Sequence, residues 1–195
     1  MHQVQKETGA PTLTEEQPIN TTTEIISRAG RSRSPATRTA LVLCTALVVL
    51  ALDQLTKATV RQFLLSSGTY STPLIGEWVK LTYVENRGAA FGLLQNQSAF
   101  FILVGVIVVA GILVGQRFVP THQTALAVCL GMQLGGATGN MIDRLRFGHV
   151  FDFVDLTFWP VFNVADSAIV VGVAILAYHL FTSSDQHPKS DDLGQ

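Results

Sequence analysis

Five aspartates stand in or beside apolar stretches of this chain: Asp53, Asp143, Asp152, Asp155 and Asp166. An ionisable group near hydrocarbon depth costs a few kcal/mol unless it is paired or hydrated. Several of them therefore ask for a functional explanation. Two carboxylates that share a site repel each other's charge, so the pair holds a single proton near neutral pH. The ionised member can take a proton from water as it attacks a carbonyl. The protonated member can polarise that carbonyl and later help donate to the leaving amine. Competing chemistries have less support. His149 lies near Asp152, but no serine sits in a nucleophile-elbow context, and neither cysteines nor histidines have metal-ligand spacing.

Each aspartate also has a structural reading. Asp53 and Lys57 are spaced i, i+4, as in a helical ion pair. Asn163 followed by Asp166 resembles a helix N-cap with an acid in its first turn. Asp143 and Arg144 fit an interfacial charge pair, and Asp155 fits a residue facing water. Asp152 resists such a reading, because Val150, Phe151, Phe153 and Val154 flank it. From residues alone, aspartic proteolysis at a membrane face is the strongest enzymatic expectation. The alternative is a proton-coupled transporter, which also uses intramembrane acids and glycine-rich span ends.

The elements that must position these acids are apolar runs. They cover residues 39–55, 99–118, 124–141 and 164–181, each near the roughly 20 residues that cross a bilayer as a helix. The chain is 48% hydrophobic and 14% charged, against roughly 25% charged in a soluble domain. The predicted fold class is thus an all-α integral membrane protein with four transmembrane helices. A small extracytoplasmic β-sheet is expected in the loop 57–98, because residues 78–84 read WVKLTYV and turn chemistry follows at Asn86-Arg87-Gly88. Trp78, Tyr83 and Trp159 are candidate interface anchors. Cys44 and Cys129 lie inside apolar runs and are expected to be buried thiols, without a disulfide.

Residues 1–37 lack apolar periodicity and are expected to form a disordered cytoplasmic tail, with the first span acting as an uncleaved anchor. The expected four-span domain covers 38–182, and a polar tail covers 183–195. Arg28, Arg31, Arg33 and Arg38, together with Arg117 between spans two and three, place both termini in the cytoplasm by the positive-inside rule. Lys57, Arg61, Lys80, Arg87, Arg144 and Arg146 on the other side weaken that bias. All the informative aspartates then map to the extracytoplasmic face. A net charge of −1 gives no reason to expect nucleic acid as a partner.

Over residues 38–182 the chain resembles the lipoprotein signal peptidases, the signal peptidase II family of bacterial aspartic proteases. Asp53-Gln54-Leu55-Thr56-Lys57 is similar to the family's DxxTK segment, and Asn86-Arg87-Gly88-Ala89-Ala90-Phe91-Gly92 to its NxGxAFG segment. Residues 135–144, GGATGNMIDR, resemble its GGAxGNxxDR block. Val150-Phe151-Asp152-Phe153 and Phe162-Asn163-Val164-Ala165-Asp166-Ser167 resemble its last two blocks. Five such segments in the right order, each beside the right span, form a specific signal.

The resemblance implies that Asp152 and Asp166 are the catalytic dyad. It implies that Asn86, Asn140, Arg144 and Asn163 bind substrate or orient the dyad, with Asp53, Lys57 and Asp143 in support. Gly135, Gly136 and Gly139 would allow close helix approach. The implied substrate is a prolipoprotein whose cysteine carries diacylglycerol, cut just before that cysteine to release the signal peptide. The loop 57–98 would clamp it. The resemblance implies no metal or organic cofactor. The enzyme is expected to work in the bacterial inner membrane among its lipids, as a monomer. The long polar N-terminal tail departs from the family pattern.

Overall fold

The structure, a computed structural model, describes residues 34–88, 97–120 and 123–184. Most of the expected N-terminal tail, residues 89–92 of the NxGxAFG-like segment and the chain beyond residue 184 lie outside the described residues.

The first helix, α1 (Pro35–Ser66), begins inside the last three residues of the expected tail. Ser34 is its N-cap and accepts a hydrogen bond from the Thr37 N–H at 3.2 Å, while Pro35 supplies a preset φ at the first helical position. Its 32 residues extend about 48 Å, well beyond the roughly 30 Å of hydrocarbon. Asp53 therefore does not end the helix, and the connection to the next helix starts at residue 67 and not at Lys57. The reason is local: the residues after Asp53 contain no Gly or Pro until Gly68.

A hairpin follows, β1 (Ser71–Ile75) and β2 (Val79–Asn86). After it come α2 (Ser98–Gly115), closed by a 3-10 turn (Gln116–Phe118), and α3 (Thr124–Phe147). Gly148, at φ +77°, ends α3 in the left-handed region that a side chain disfavours, and its N–H reaches the Arg144 carbonyl. This turns the chain straight into β3 (Val150–Asp155). The last helix is α4 (Val164–Ser184). The three strands form one antiparallel sheet, ordered β1-β2-β3.

Among the described residues three helices are long and apolar enough to cross a membrane: Pro35–Ser66, Ser98–Phe118 and Thr124–Phe147. In α4 the apolar stretch is shorter, Val164–His179, although its 21 residues reach about 31 Å. The chain is thus a helical membrane protein with a small sheet. Helix α3 is central and packs against the other three. Outward faces carry large exposed apolar side chains, among them Leu47, Leu55, Ile107, Val114 and Val170. That arrangement suits hydrocarbon and not water.

Two expectations on side chains need correction. Cys129 is buried, but Cys44 is exposed on the surface of α1, where a thiol meets lipid as a small hydrophobe. Trp78 and Trp159 are exposed as anchors would be, whereas Tyr83 packs between Tyr70 and Phe151, 4.9 Å from the latter ring. It belongs to the sheet's own packing.

Candidate active site

Close helix contact builds the floor of the site. A Cβ on Gly135 would stand 2.5 Å from the Ala46 carbonyl oxygen, and one on Gly136 would stand 2.5 Å from that of Ala165. On Gly139 it would meet Asp53 Oδ2, again at 2.5 Å. The glycine-rich run in α3 therefore lets α1 and α4 approach within side-chain-free distance.

In that floor lies a buried ionic cluster. Lys57 Nζ contacts Asp53 Oδ2 at 2.9 Å, Asp143 Oδ2 at 2.7 Å and Asn140 Oδ1 at 3.0 Å, which uses all three ammonium donors. Asp53 Oδ1 accepts the backbone N–H of Ala165, tying α1 to the first turn of α4. The expected i, i+4 pair is present, but the Asp143–Arg144 pair is not. Asp143 bonds to Lys57 and Gln54, because residues adjacent in a helix point in different directions. Gln54 is a residue that the sequence reading did not single out. Its amide donates to both Asp53 and Asp143. Nothing in the spacing of a lone glutamine marks such a role.

Above the cluster, β3 presents Asp152 and α4 presents Asp166. Pairing of Asn86 with Val150 and of Val84 with Asp152 sets Asn86 diagonally beside Asp152 on one sheet face. Asn86 Nδ2 donates to Asp152 Oδ2 at 2.8 Å. Asn163 holds the other oxygen, its Nδ2 donating to Asp152 Oδ1 at 2.6 Å. The same residue caps α4: its Oδ1 accepts the Asp166 N–H at 2.9 Å, and its own N–H donates to Asp166 Oδ2 at 3.1 Å. This reciprocal arrangement is a capping box. Asn140 completes the frame, donating to Asp166 Oδ1 at 2.8 Å and accepting from Asn163 and Lys57. Asn163 thus caps α4 and at the same time bonds Asp152.

The segment between the two acids is held at both ends. Phe162 exchanges backbone hydrogen bonds with Val154, and Thr157 takes φ +69°, unusual for a β-branched residue. Its N–H bonds to Asp155 Oδ1 and its hydroxyl to the Glu77 carbonyl. Asp155, expected to face water, also accepts from the Thr82 hydroxyl. Arg144 donates to the carbonyls of Asn140 and Gly88, and its guanidinium lies 4.8 Å from the Phe101 ring centre.

Asp152 is almost completely buried. Burial first, and the neighbouring Asp166 charge second, push its carboxyl up to about 7 against the hydrogen bonds of Asn86 and Asn163. The site thus contains a carboxyl still protonated near neutrality beside a second carboxyl. Among the described residues no His/Cys/Asp/Glu group is arranged to hold a metal ion.

Comparison with known proteins decides the affiliation. The family model described as signal peptidase (SPase) II matches residues 45–182. The chain belongs to the signal peptidase II family. Membership makes it a peptidase, and therefore a hydrolase. A lipoprotein signal peptidase of Moorella thermoacetica is 51% identical over 147 residues, covering 75% of this chain and 97% of that one. Another, from Pelotomaculum thermopropionicum, is 47% identical over 144 residues, 74% of this chain and 93% of its own. Among solved structures, a bacterial membrane enzyme determined by the in meso method at 2.3 Å resolution superposes with a TM-score of 0.67 at 26% identity. That match covers 78% of this chain and 94% of the other.

Proposed function

We propose that this peptidase is an aspartic endopeptidase acting on diacylglyceryl-modified prolipoproteins, and that Asp152 and Asp166 are its catalytic pair. The observation that carries the reading is the asparagine clamp. Asn163 binds Asp152 through its side chain and Asp166 through its backbone, so one residue fixes both acids against the same space. Asp152, protonated below about pH 7, polarises the scissile carbonyl. Asp166 takes a proton from the attacking water, and the two exchange roles as the amine leaves. The cut falls before the lipidated cysteine and frees the signal peptide. The relatives named lipoprotein signal peptidase support this substrate class.

Asn86, Asn140 and Asn163 orient the dyad, while Arg144 is placed to meet substrate. Asp53, Lys57 and Asp143 support the floor. We place the enzyme in the inner membrane as a monomer, with both termini cytoplasmic and the sheet end extracytoplasmic. A lipidated substrate stays in the bilayer, so the dyad belongs where helices end and the sheet begins. The transporter alternative loses its basis, because the described acids gather at one end of the bundle and form no relay along it.

The test is cleavage of a diacylglyceryl-modified prolipoprotein by purified wild type, Asp152→Asn and Asp166→Asn, each shown to be inserted and folded. Each substitution is expected to lower kcat by about a thousand-fold or more. Near wild-type activity in either folded variant would remove that residue from the dyad.

A further inference from the structure

A cleft of about 660 Å³ opens between α1, the last turns of α3 and β3, and none of its lining residues is a dyad aspartate or a clamping asparagine. Its inner wall contains Lys57 and Asp143, already paired with each other. One helical turn further along α1 stands Arg61, and in the last turn of α3 stands Arg146. Their guanidinium carbons lie 5.1 and 5.0 Å from the centre of the same Phe147 ring. Two like charges are thus gathered at one small ring, and neither forms an ion pair among the described residues. Among the described residues Asp143 is the only carboxylate lining the cleft, and Lys57 and Gln54 already occupy it. The outer part of the cleft therefore has an unbalanced positive charge.

Its level in the bundle indicates the occupant. Both arginines sit where the helices give way to the sheet, and the outward faces of α1 and α3 beside them carry exposed Leu55, Leu65 and Leu145. Cationic heads on long stems beside an apolar surface are the pattern of residues at the headgroup level of a bilayer. We propose that this cleft binds an anionic phospholipid. Its phosphate sits between Arg61 and Arg146, with the neutral donor Gln62 beside it. An acyl chain descends along the apolar face of α1. Guanidinium groups suit this role because their donors meet phosphate oxygens in pairs. A basic side chain near a membrane surface gives about a five-fold preference for an anionic headgroup, and two give roughly twenty- to thirty-fold.

The full chain, purified in mild detergent from nanodiscs of equal parts dioleoylphosphatidylglycerol and dioleoylphosphatidylcholine, can be examined for retained lipid by native mass spectrometry. The wild type is expected to retain the glycerol lipid at least ten-fold over the choline lipid. R61Q and R146Q should each cut that preference about five-fold, and the double variant should leave almost none. K80Q, which removes a cation from the sheet of the same end, should leave the preference in place. Equal retention of both lipids by wild type, or an undiminished preference in the double variant, overturns the proposal. So does a loss in K80Q as large as in R61Q, which would mean diffuse surface charge. Displacement of the retained lipid by millimolar inorganic phosphate would assign the cleft to free phosphate instead.

Discussion

At the residue scale, the protonation of Asp152 is the property most open to measurement. Its carboxyl is raised to about 7 by burial and by Asp166, so the acid form is present below that pH and is lost above it. If Asp152 supplies the proton that polarises the carbonyl, kcat/KM should fall as pH rises through about 7, by roughly tenfold per unit beyond it. A pH–rate profile for the wild type in detergent checks this, and a flat profile from pH 6 to 9 would separate the raised carboxyl from catalysis. The acids themselves are legible in the sequence as charges among apolar neighbours. Their hydrogen-bond partners are legible only partly. Asn163 three residues before Asp166 signals a cap, but that its amide also reaches Asp152 depends on a sheet register that no local spacing specifies.

At the scale of elements, α3 joins the others through glycine contacts and one lysine. Gly136→Ala would put a methyl group 2.5 Å from the Ala165 carbonyl, in the turn that carries Asp166. Overpacking of this kind costs about 1–3 kcal/mol and shifts backbone. The variant should keep its helical circular dichroism yet lose most of its activity. A fully active Gly136→Ala would mean that α4 can move away without disturbing the site. Lys57→Met acts differently. It leaves Asp53 and Asp143 buried without their cation, a change worth about 3–5 kcal/mol. Its melting temperature in detergent should drop sharply, and Asp53→Asn in the same chain should restore part of it. A Lys57→Met variant as stable as wild type would show that the cluster is hydrated.

At the scale of the whole molecule, the helices present one polar end and a long apolar girdle. Arg38 donates to the carbonyls of Arg117 and Val119, so the start of α1 and the α2–α3 connection share the end opposite the aspartates. With that end cytoplasmic, a single cysteine at Thr69 in a chain lacking Cys44 and Cys129 should react with a membrane-impermeant maleimide added outside spheroplasts. One at Val119 should react only after lysis, and the reverse pattern would invert the proposed topology. The sequence by itself determined the four apolar helices, a strand in the connecting loop and which aspartates stand among apolar neighbours. Those depend on local hydrophobicity and on residue chemistry, which a linear reading can register. Helix α1 running thirteen residues past Asp53, Asp143 turning to Lys57 in place of Arg144, Gln54 bridging two acids and Arg61 meeting Arg146 over Phe147 were decided only by the tertiary structure. Each depends on residues brought together across elements by packing, and the free energy that selects such contacts belongs to the assembled bundle and not to any one segment.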